Sequence, residues 1–545
     1  MKRRSFLKTL GITGASAMLP LTLGGCTSAA QRVNQLLGDK ENPPNIILMV
    51  TDDQGFGQFD FLPESYNKTV LAERYVSERY AVDLDAAIHA SRSAMPTLKK
   101  LAVDGVRFSN AHVTHPVCAA SRTGIMTSRY PHQFGIYNND DVKPGVPLEE
   151  TFLPEVFQKN GYRTGAIGKW HLAKVRKEAV EGSTSRDYHD NSIIWAEEGY
   201  RPTDRGFDYF FGFHASGVSS YNSPTWMRNG ELAESKGYMT DQMTDEALAF
   251  IRSVKKDQPF FLYYAHAAPH IPLTAMAPEK YLGRFNTGNQ EVDNYYASIA
   301  AIDDSILLLM NELEASGRAD NTIFLFMPDN GGVADSPMPQ NGLLTGNKGS
   351  LMDGGVHIPL VAWGKSLPKG MIYDGLVSTM DLMPTLLAAS GLNAPQPEKL
   401  DGVNLLPHLS GTDSAEPHDM LFWAGPRAFH WGEPNDDFWR DYFEYVSGRS
   451  ESDVEPSSPH LEKYSTASWS VRKGQWSLHW WQNDNTVRLY NRAVDPAEVN
   501  DIAAQHPALV KEMQAGIREW IKDKPEPAVW GKDYFKELKN SLLKG

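Results

Sequence analysis

Two pairs of adjacent oxygen-bearing residues, Asp52-Asp53 and Asp329-Asn330, end two apolar runs of the same design. Asn45-Ile46-Ile47-Leu48-Met49-Val50 leads to the first pair, and Asn321-Thr322-Ile323-Phe324-Leu325-Phe326-Met327 to the second. An all-oxygen donor set selects Ca2+ or Mg2+ rather than zinc. Taken singly, Asp-Asp and Asp-Asn-Gly are turn sequences; their shared place at strand ends is what suggests a metal. Cys118 is the next candidate, although a lone cysteine is usually a small buried hydrophobe. His112, His115 and Cys118 lie three apart and could suggest zinc, but that set offers only three ligands. Lys169 and His171 are one residue apart just past a strand, so an extended stretch would turn them to the same side. His270 and Lys348 lie in Pro269-His270-Ile271-Pro272 and Gly346-Asn347-Lys348-Gly349-Ser350-Leu351. Alone, a Lys or His of this kind is ordinarily a solvated or core residue.

The elements that must position these residues can be read from the pattern. Continuous apolar runs mark strands buried on both faces. Besides the two above, Pro259 to Tyr264 runs into Ala268-Pro269-His270, and Gly161 to Gly168 runs into Lys169-Trp170-His171. A helical pattern covers Tyr295 to Leu313, and another begins at Met95-Pro96-Thr97-Leu98. Alternating strands and helices predict an α/β fold with a large, mostly parallel sheet flanked by helices. Ligands bind such sheets beyond the carboxyl ends of the strands, where all four polar clusters fall. The stretch from Phe56 to Ala94 is long for a connection and reads as an insertion bordering the site. Near residue 410 the character changes. Ser447 to Pro459 is polar, Ser468 to Trp481 and Thr486 to Tyr490 alternate as antiparallel strands, and Leu509, Met513, Ile517, Trp520 and Ile521 share one helix face. A smaller C-terminal α+β domain with an antiparallel sheet is therefore expected. Trp423, Trp431, Trp439, Trp476, Trp480 and Trp481 cluster in this last third and read as core, with Trp431 and Trp439 the candidates for stacking on a sugar.

The run Cys118-Ala119-Ala120-Ser121-Arg122, continued by Thr123-Gly124-Ile125-Met126-Thr127-Ser128-Arg129, resembles the maturation signature of the type I sulfatases, in the alkaline phosphatase-like superfamily. Their consensus is Cys-x-Pro-Ser-Arg, and Ala120 stands here in place of the usual Pro. The resemblance extends over about residues 44–525. It implies that Cys118 is oxidised to formylglycine by a maturation enzyme; which one acts is left open by Ala120. It implies Asp52, Asp53, Asp329, Asn330 and the matured Cys118 as ligands of one Ca2+. Lys169, in Gly168-Lys169-Trp170-His171, would contact sulfate and the nucleophile, and His171 would be the base that helps eject sulfate. His270 and Lys348 would lie near the leaving-group oxygen, where either could protonate the departing alcohol.

The chemistry behind that signature is specific. A thiolate is a poor partner for a hard ion. A serine attacking a sulfate ester would form another stable sulfate ester. An aldehyde hydrate attacks with one hydroxyl, and the other then expels sulfate, so release is built into covalent catalysis. The metal polarises the sulfate oxygens. Arg122, one turn into an expected helix, can hold the metal carboxylates by forked hydrogen bonds. The resemblance thus implies a sulfuric ester hydrolase, and the bacterial, extracytoplasmic address read from the N-terminus makes a sulfated carbohydrate the expected substrate. Two rivals stand beside it: a phosphate or phosphonate monoester hydrolase of the same superfamily, and a non-catalytic carbohydrate-binding relative in which Cys118 stays a thiol.

A chain of 545 residues with 41% hydrophobic and 22% charged residues is long enough for one large and one smaller globular domain. Its net charge is -14, and the first 25 residues, with Lys2, Arg3, Arg4 and Lys8 and no acid, mask part of the imbalance. Such a body repels polyanions, which argues against nucleic acid as a partner. Arg3-Arg4-Ser5-Phe6-Leu7-Lys8 resembles a twin-arginine export signal, and Leu23-Gly24-Gly25-Cys26 a lipobox. Residues 1–25 are expected to be a lipoprotein signal, 26–43 a tether, 44–410 the catalytic domain and 411–545 the C-terminal domain. The protein would then be exported by a bacterium to the periplasm or cell surface, with a lipid anchor at Cys26. Cys118, the only other cysteine, would have no disulfide partner.

Overall fold

The computed structural model describes residues 42–62, 80–178, 193–215, 226–234, 236–271, 273, 276–333, 336–426, 467–481, 485–529 and 532–544. The expected signal, Cys26, most of the tether, Ser447 to Pro459, Trp431 and Trp439 lie outside the described residues.

Seven strands organise the larger sheet: β1 (Asn45–Thr51), β2 (Val106–His112), β3 (Arg163–Lys169), β4 (Tyr209–Phe213), β5 (Phe260–Ala265), β6 (Thr322–Pro328) and β7 (His357–Gly364). Their order across the sheet is β2-β7-β6-β1-β5-β3-β4, extended by short edge strands at both sides. The run β6-β1-β5-β3-β4 is parallel throughout. β7 is antiparallel to both β6 and β2. The mixed edge arises because β7 returns from the Lys348 segment with no crossover helix longer than one turn among the described residues to reverse it.

The central strands are apolar on both faces because both faces are covered. In β1, Ile46, Leu48 and Val50 enter one core, and Ile47 and Met49 the other. β6 divides the same way, with Ile323, Leu325 and Met327 against Phe324 and Phe326. This is the two-residue period of a strand read on two buried sides. Truncating one such side chain to Ala costs about 2–5 kcal/mol.

Four helices flank the sheet near the site: α1 (Leu84–Ala94), α2 (Pro96–Asp104), α3 (Cys118–Thr127) and α4 (Met239–Ser253). A longer one, α5 (Gln290–Ala315), contains the expected Tyr295 to Leu313 pattern. It starts where the Asn289 side chain accepts the amides of Glu291 and Val292, an N-cap that satisfies two end groups. α1 occupies the end of the stretch expected to be an insertion; Asp83 caps it in the same way. A one-turn helix, α6 (Asp353–Val356), precedes β7.

The C-terminal part forms a separate antiparallel sheet, β8 (Leu421–Pro426), β9 (Ala467–Lys473), β10 (Trp476–Trp481) and β11 (Thr486–Asn491). Helix α7 (Pro507–Ile521) lays Met513, Ile517 and Ile521 on it. Trp469 and Trp480 fill this core, and Trp423 joins the main one while donating its indole N–H to the Val113 carbonyl (2.8 Å). Among the described residues no helix is long and apolar enough to cross a membrane.

Candidate active site

β1 and β6 pair in register up to Thr51 and Pro328, so the two residues after each strand emerge side by side. The Asp329 amide donates to the Thr51 carbonyl (2.9 Å), and the Asp53 amide to Asp329 Oδ1 (3.2 Å). Asp53 takes a left-handed conformation, with φ 62°, which folds its carboxylate back toward the pair. Asn330 Nδ2 donates to Asp53 Oδ1 (2.8 Å). All four residues are buried.

Cys118 is the first residue of α3 and is 1% exposed. Its Sγ lies 3.3 Å from Asp52 Oδ1 and 3.8 Å from Asp53 Oδ1. The helix is buried over its whole length, which small residues permit: a Cβ on Gly124 would lie 2.3 Å from Thr114 Oγ1. Asn139 Oδ1 accepts the Ala119 amide (2.9 Å), so the helix start is capped from outside its own sequence. Burial first, then Asp329 and Asp52, push the thiol well above its ordinary pKa. An unmodified Cys118 is therefore a protonated thiol and a weak nucleophile.

Four cationic or imidazole side chains surround this core. Arg122 sets Nε and Nη2 on Asp329 Oδ2 (3.0 and 2.8 Å), and its Nη1 donates to the Lys169 carbonyl (3.2 Å) and Tyr263 Oη (3.1 Å). Lys169 Nζ donates to Asp52 Oδ2 (2.6 Å), and Lys348 Nζ to Asp53 Oδ2 (2.8 Å). His270 Nε2 stands 3.2 Å from Lys348 Nζ and 3.3 Å from Asp53 Oδ2. Burial alone would raise the carboxyls of Asp52 and Asp53. Lys169 beside the first and Lys348 beside the second outweigh it, so both lie below the usual range. Burial lowers His270, with Asp53 opposing. Burial, then the charges of Lys169 and Arg122, hold His171 well below its ordinary value, so its ring is neutral.

Contrary to expectation, Lys169 and His171 do not share one extended stretch. Lys169 is the last residue of β3, but His171 is left-handed, with φ 61°, and its amide donates to the His214 carbonyl (3.1 Å). The chain has left the extended form, so side-by-side placement does not follow from a two-residue period.

The donor set fits a hard cation. Asp52, Asp53 and Asp329 supply carboxylates, and Asn330 Oδ1 is buried with no hydrogen-bond partner. An amide oxygen left bare in a carboxylate cluster suits a cation and is costly otherwise. Asp52, Asp53, Cys118 and His270 bring candidate ligand atoms within 4.8 Å of one another. The zinc alternative does not assemble. His112 stacks on His357 (4.9 Å), His115 Nε2 faces the Ala424 carbonyl (3.2 Å), and only Cys118 faces the carboxylates.

Two residues at the site escaped the motif reading. Tyr263 lies in an apolar strand, but a phenol buried in such a strand requires a polar partner, and that was the available signal. Asn139 opens a one-turn 3-10 helix, Asn139–Val142, with no motif around it, and no sequence signal points to its capping of α3.

A family model described as Sulfatase matches residues 44–392. The chain is 42% identical over 502 residues to the uncharacterized sulfatase YdeN of Escherichia coli (strain K12), covering 92% of this chain and 89% of that protein. It is 29% identical over 398 residues to human N-acetylgalactosamine-6-sulfatase, covering 67% of this chain and 66% of that one. Among solved structures, Ps i-CgsB in complex with k-i-k-neocarrahexaose superposes with a TM-score of 0.66 at 25% identity, over 92% of this chain and 98% of that one.

Proposed function

The chain belongs to the sulfatase family and is a sulfuric ester hydrolase; from that premise we propose that it removes sulfate from a carbohydrate ester at the Cys118 site. The observation that carries the site assignment is Cys118 Sγ at 3.3 Å from Asp52 Oδ1. A thiol there meets hard oxygens it cannot usefully join, and oxidation to formylglycine removes the mismatch. The sugar substrate is supported by the N-acetylgalactosamine-6-sulfatase relative and the neocarrahexaose complex of Ps i-CgsB.

Matured Cys118 would supply an aldehyde-hydrate hydroxyl as nucleophile, and a Ca2+ held by Asp52, Asp53, Asp329 and Asn330 would polarise the sulfate. The chain's own residues have distinct tasks. Lys169 and Lys348 lie on the carboxylates where a sulfate dianion-like charge would build up, and offset it. Arg122 keeps Asp329 oriented. As the ester S–O bond breaks, His270 or Lys348 delivers a proton to the departing alcohol oxygen. His171 takes a proton as sulfate is expelled and the aldehyde returns. The net reaction consumes one water and yields an alcohol and sulfate.

Turnover of aryl sulfate beside aryl phosphonate, followed by a panel of defined sulfated oligosaccharides, tests the reading. Preference for the phosphonate would favour the rival hydrolase, and loss of all turnover with Cys118 still a thiol would favour a binding role. The N-terminal motif further supports export by the twin-arginine route and lipid attachment at Cys26. Cys26→Ser should then leave unprocessed precursor or a soluble form; a mature, membrane-bound Cys26→Ser protein would refute the anchor.

A further inference from the structure

The C-terminal sheet reaches the Cys118 site through one carboxylate. Asp353 is buried and opens α6, shortly after Lys348 in the chain. Two guanidiniums from the C-terminal part, Arg472 on β9 and Arg492 just past β11, close on that carboxylate. Glu498 Oε2 accepts the Asp353 amide (3.3 Å), and Glu498 Oε1 is held by His479 Nε2 (3.0 Å). At the other end of the same segment, Thr345 donates its hydroxyl to the Ala497 carbonyl. Residues 345–353 are thus fixed at both ends by the C-terminal part.

From its opposite side the segment holds the site. The Lys348 amide donates to the Gly332 carbonyl (3.0 Å) and the Gly349 amide to the Pro116 carbonyl (2.8 Å). The Gly331 amide, next to Asn330, donates to the Gly355 carbonyl (3.0 Å). Packing here is backbone on backbone. A Cβ on Gly331 would lie 1.8 Å from Gly354 O, and one on Gly354 would lie 2.0 Å from Gly346 O. The Asn341 side chain ties the two sides together, accepting the Gly332 amide (2.9 Å) and donating Nδ2 to the Gly332 and Gly346 carbonyls (3.1 Å each). A displaced Asp353 must therefore displace Lys348 and the Asp329-Asn330 turn with it.

The chemistry of the anchor exceeds what adhesion requires. Arg472 is 2% exposed, and its Nε and Nη1 have no partner. Apolar contact would join two sheets at lower desolvation cost than a buried guanidinium. Arg472 Nη2 donates a hydrogen bond to Asp353 Oδ1 and Arg492 adds an ion pair at Oδ2, so the carboxylate is held at both oxygens. Arg492 is itself aligned, donating Nη2 to His357 Nδ1 (2.8 Å) at the start of β7.

We propose that Arg472 and Arg492 are positioning residues for the active site, holding the Lys348 segment and the Asp329-Asn330 turn in place through Asp353. The proposal rests on the reading of that site as the sulfatase centre. It makes the C-terminal sheet part of the catalytic apparatus without contact to the reacting atoms.

The test uses full-length, matured, calcium-loaded protein carrying Arg492→Ala, Lys348→Ala or both. Aldehyde content is measured by mass first, so that only correctly matured protein is compared. Misplacement of about 1 Å costs on the order of 10²-fold, so Arg492→Ala should lose about that much kcat on the best sugar sulfate. Nitrophenyl sulfate turnover should fall as well, because the Asp329-Asn330 turn shifts with Lys348, and the double variant should lose less than the product of the two single losses. Hydrogen exchange should quicken at the amides of Gly331, Lys348 and Gly349, while those of β1 keep their protection. A folded Arg492→Ala protein with a lowered Tm but unchanged kcat and unchanged exchange at these amides would show mere adhesion and overturn the proposal. Should Arg492→Ala not fold, Arg492→Lys, which keeps the charge but not the fork, carries the same measurements. If the wild type turns over no sulfate ester, the proposed function fails, and the exchange comparison still judges the positioning role.

Discussion

Arg122 places two nitrogens on one oxygen of Asp329, Nε at 3.0 Å and Nη2 at 2.8 Å, which leaves Asp329 Oδ1 facing the Asp53 amide. The guanidinium thus neutralises the carboxylate on the side away from Asp53 and fixes its plane. Arg122→Met should strand a buried charge. Removing one partner of such a pair costs about 3–5 kcal/mol. Chemical denaturation should show that loss together with lost turnover; wild-type stability in Arg122→Met would refute the assigned role.

The carboxylate cluster predicts stabilisation by calcium. A ligand that binds only the folded state at about 100 times its Kd adds about 2.7 kcal/mol. Calcium should therefore raise the Tm of chelated protein, and Asp53→Asn should blunt that rise. Activity should fall on chelation and return with calcium. An unchanged Tm and rate after exhaustive chelation, with no metal found by elemental analysis, would remove calcium from the account.

Burial of Cys118 makes an accessibility prediction. At 1% exposure, unmatured Cys118 in folded protein should resist iodoacetamide, and react once the chain is denatured. Cys118→Ala should fold, since α3 needs only a small residue at that position, and lose turnover. Peptide mapping by mass decides; rapid alkylation of native Cys118 would show that the site opens in solution.

His270 and Lys348 meet at 3.2 Å beside Asp53. A sugar alkoxide needs a proton as it leaves, whereas nitrophenolate does not. His270→Ala should depress sugar sulfate turnover far more than nitrophenyl sulfate turnover, since general acid help is typically worth about 10²–10⁴-fold. Lys348→Ala should lose binding too. Single-turnover kinetics on both substrates measures this, and equal losses would return both residues to sulfate binding alone.

Acid stability should depend on Glu498. Burial by itself would raise this carboxyl, but His479, with Arg472 and Arg492 behind it, holds it down at about 2, against an ordinary 4.5. A depressed carboxyl contributes stability that is present above the unfolded pKa. That contribution is lost as pH falls from about 4.5 toward about 2, and amounts to roughly 3 kcal/mol. Glu498→Gln should be less stable at pH 7 and flatter over that window in denaturant unfolding. Parallel pH profiles for the two proteins would count against the assignment.

Sequence alone determined the parts of this protein that local pattern encodes. The runs at Asn45–Thr51 and Thr322–Pro328 are apolar at every core position because both faces are covered, so strand, depth and the polar pair at each end were all legible. Cys118, Arg122, Lys169, His270 and Lys348 were legible as residues of matched motifs, and the structure gathers them around the same carboxylates. Pattern failed where the conformation is local and unusual, as at His171, whose left-handed backbone no alternation rule foresees. The antiparallel return of β7 and the capping of α3 by Asn139 were also hidden, because each depends on a partner far away in the chain. The same holds for the joining of Arg472, Arg492 and Glu498 to Asp353. Charged residues scattered over some 150 positions carry no periodicity and no spacing signal. Only the docking of one sheet against the other brings them within bonding distance, so that part of the active site was decided by the tertiary structure.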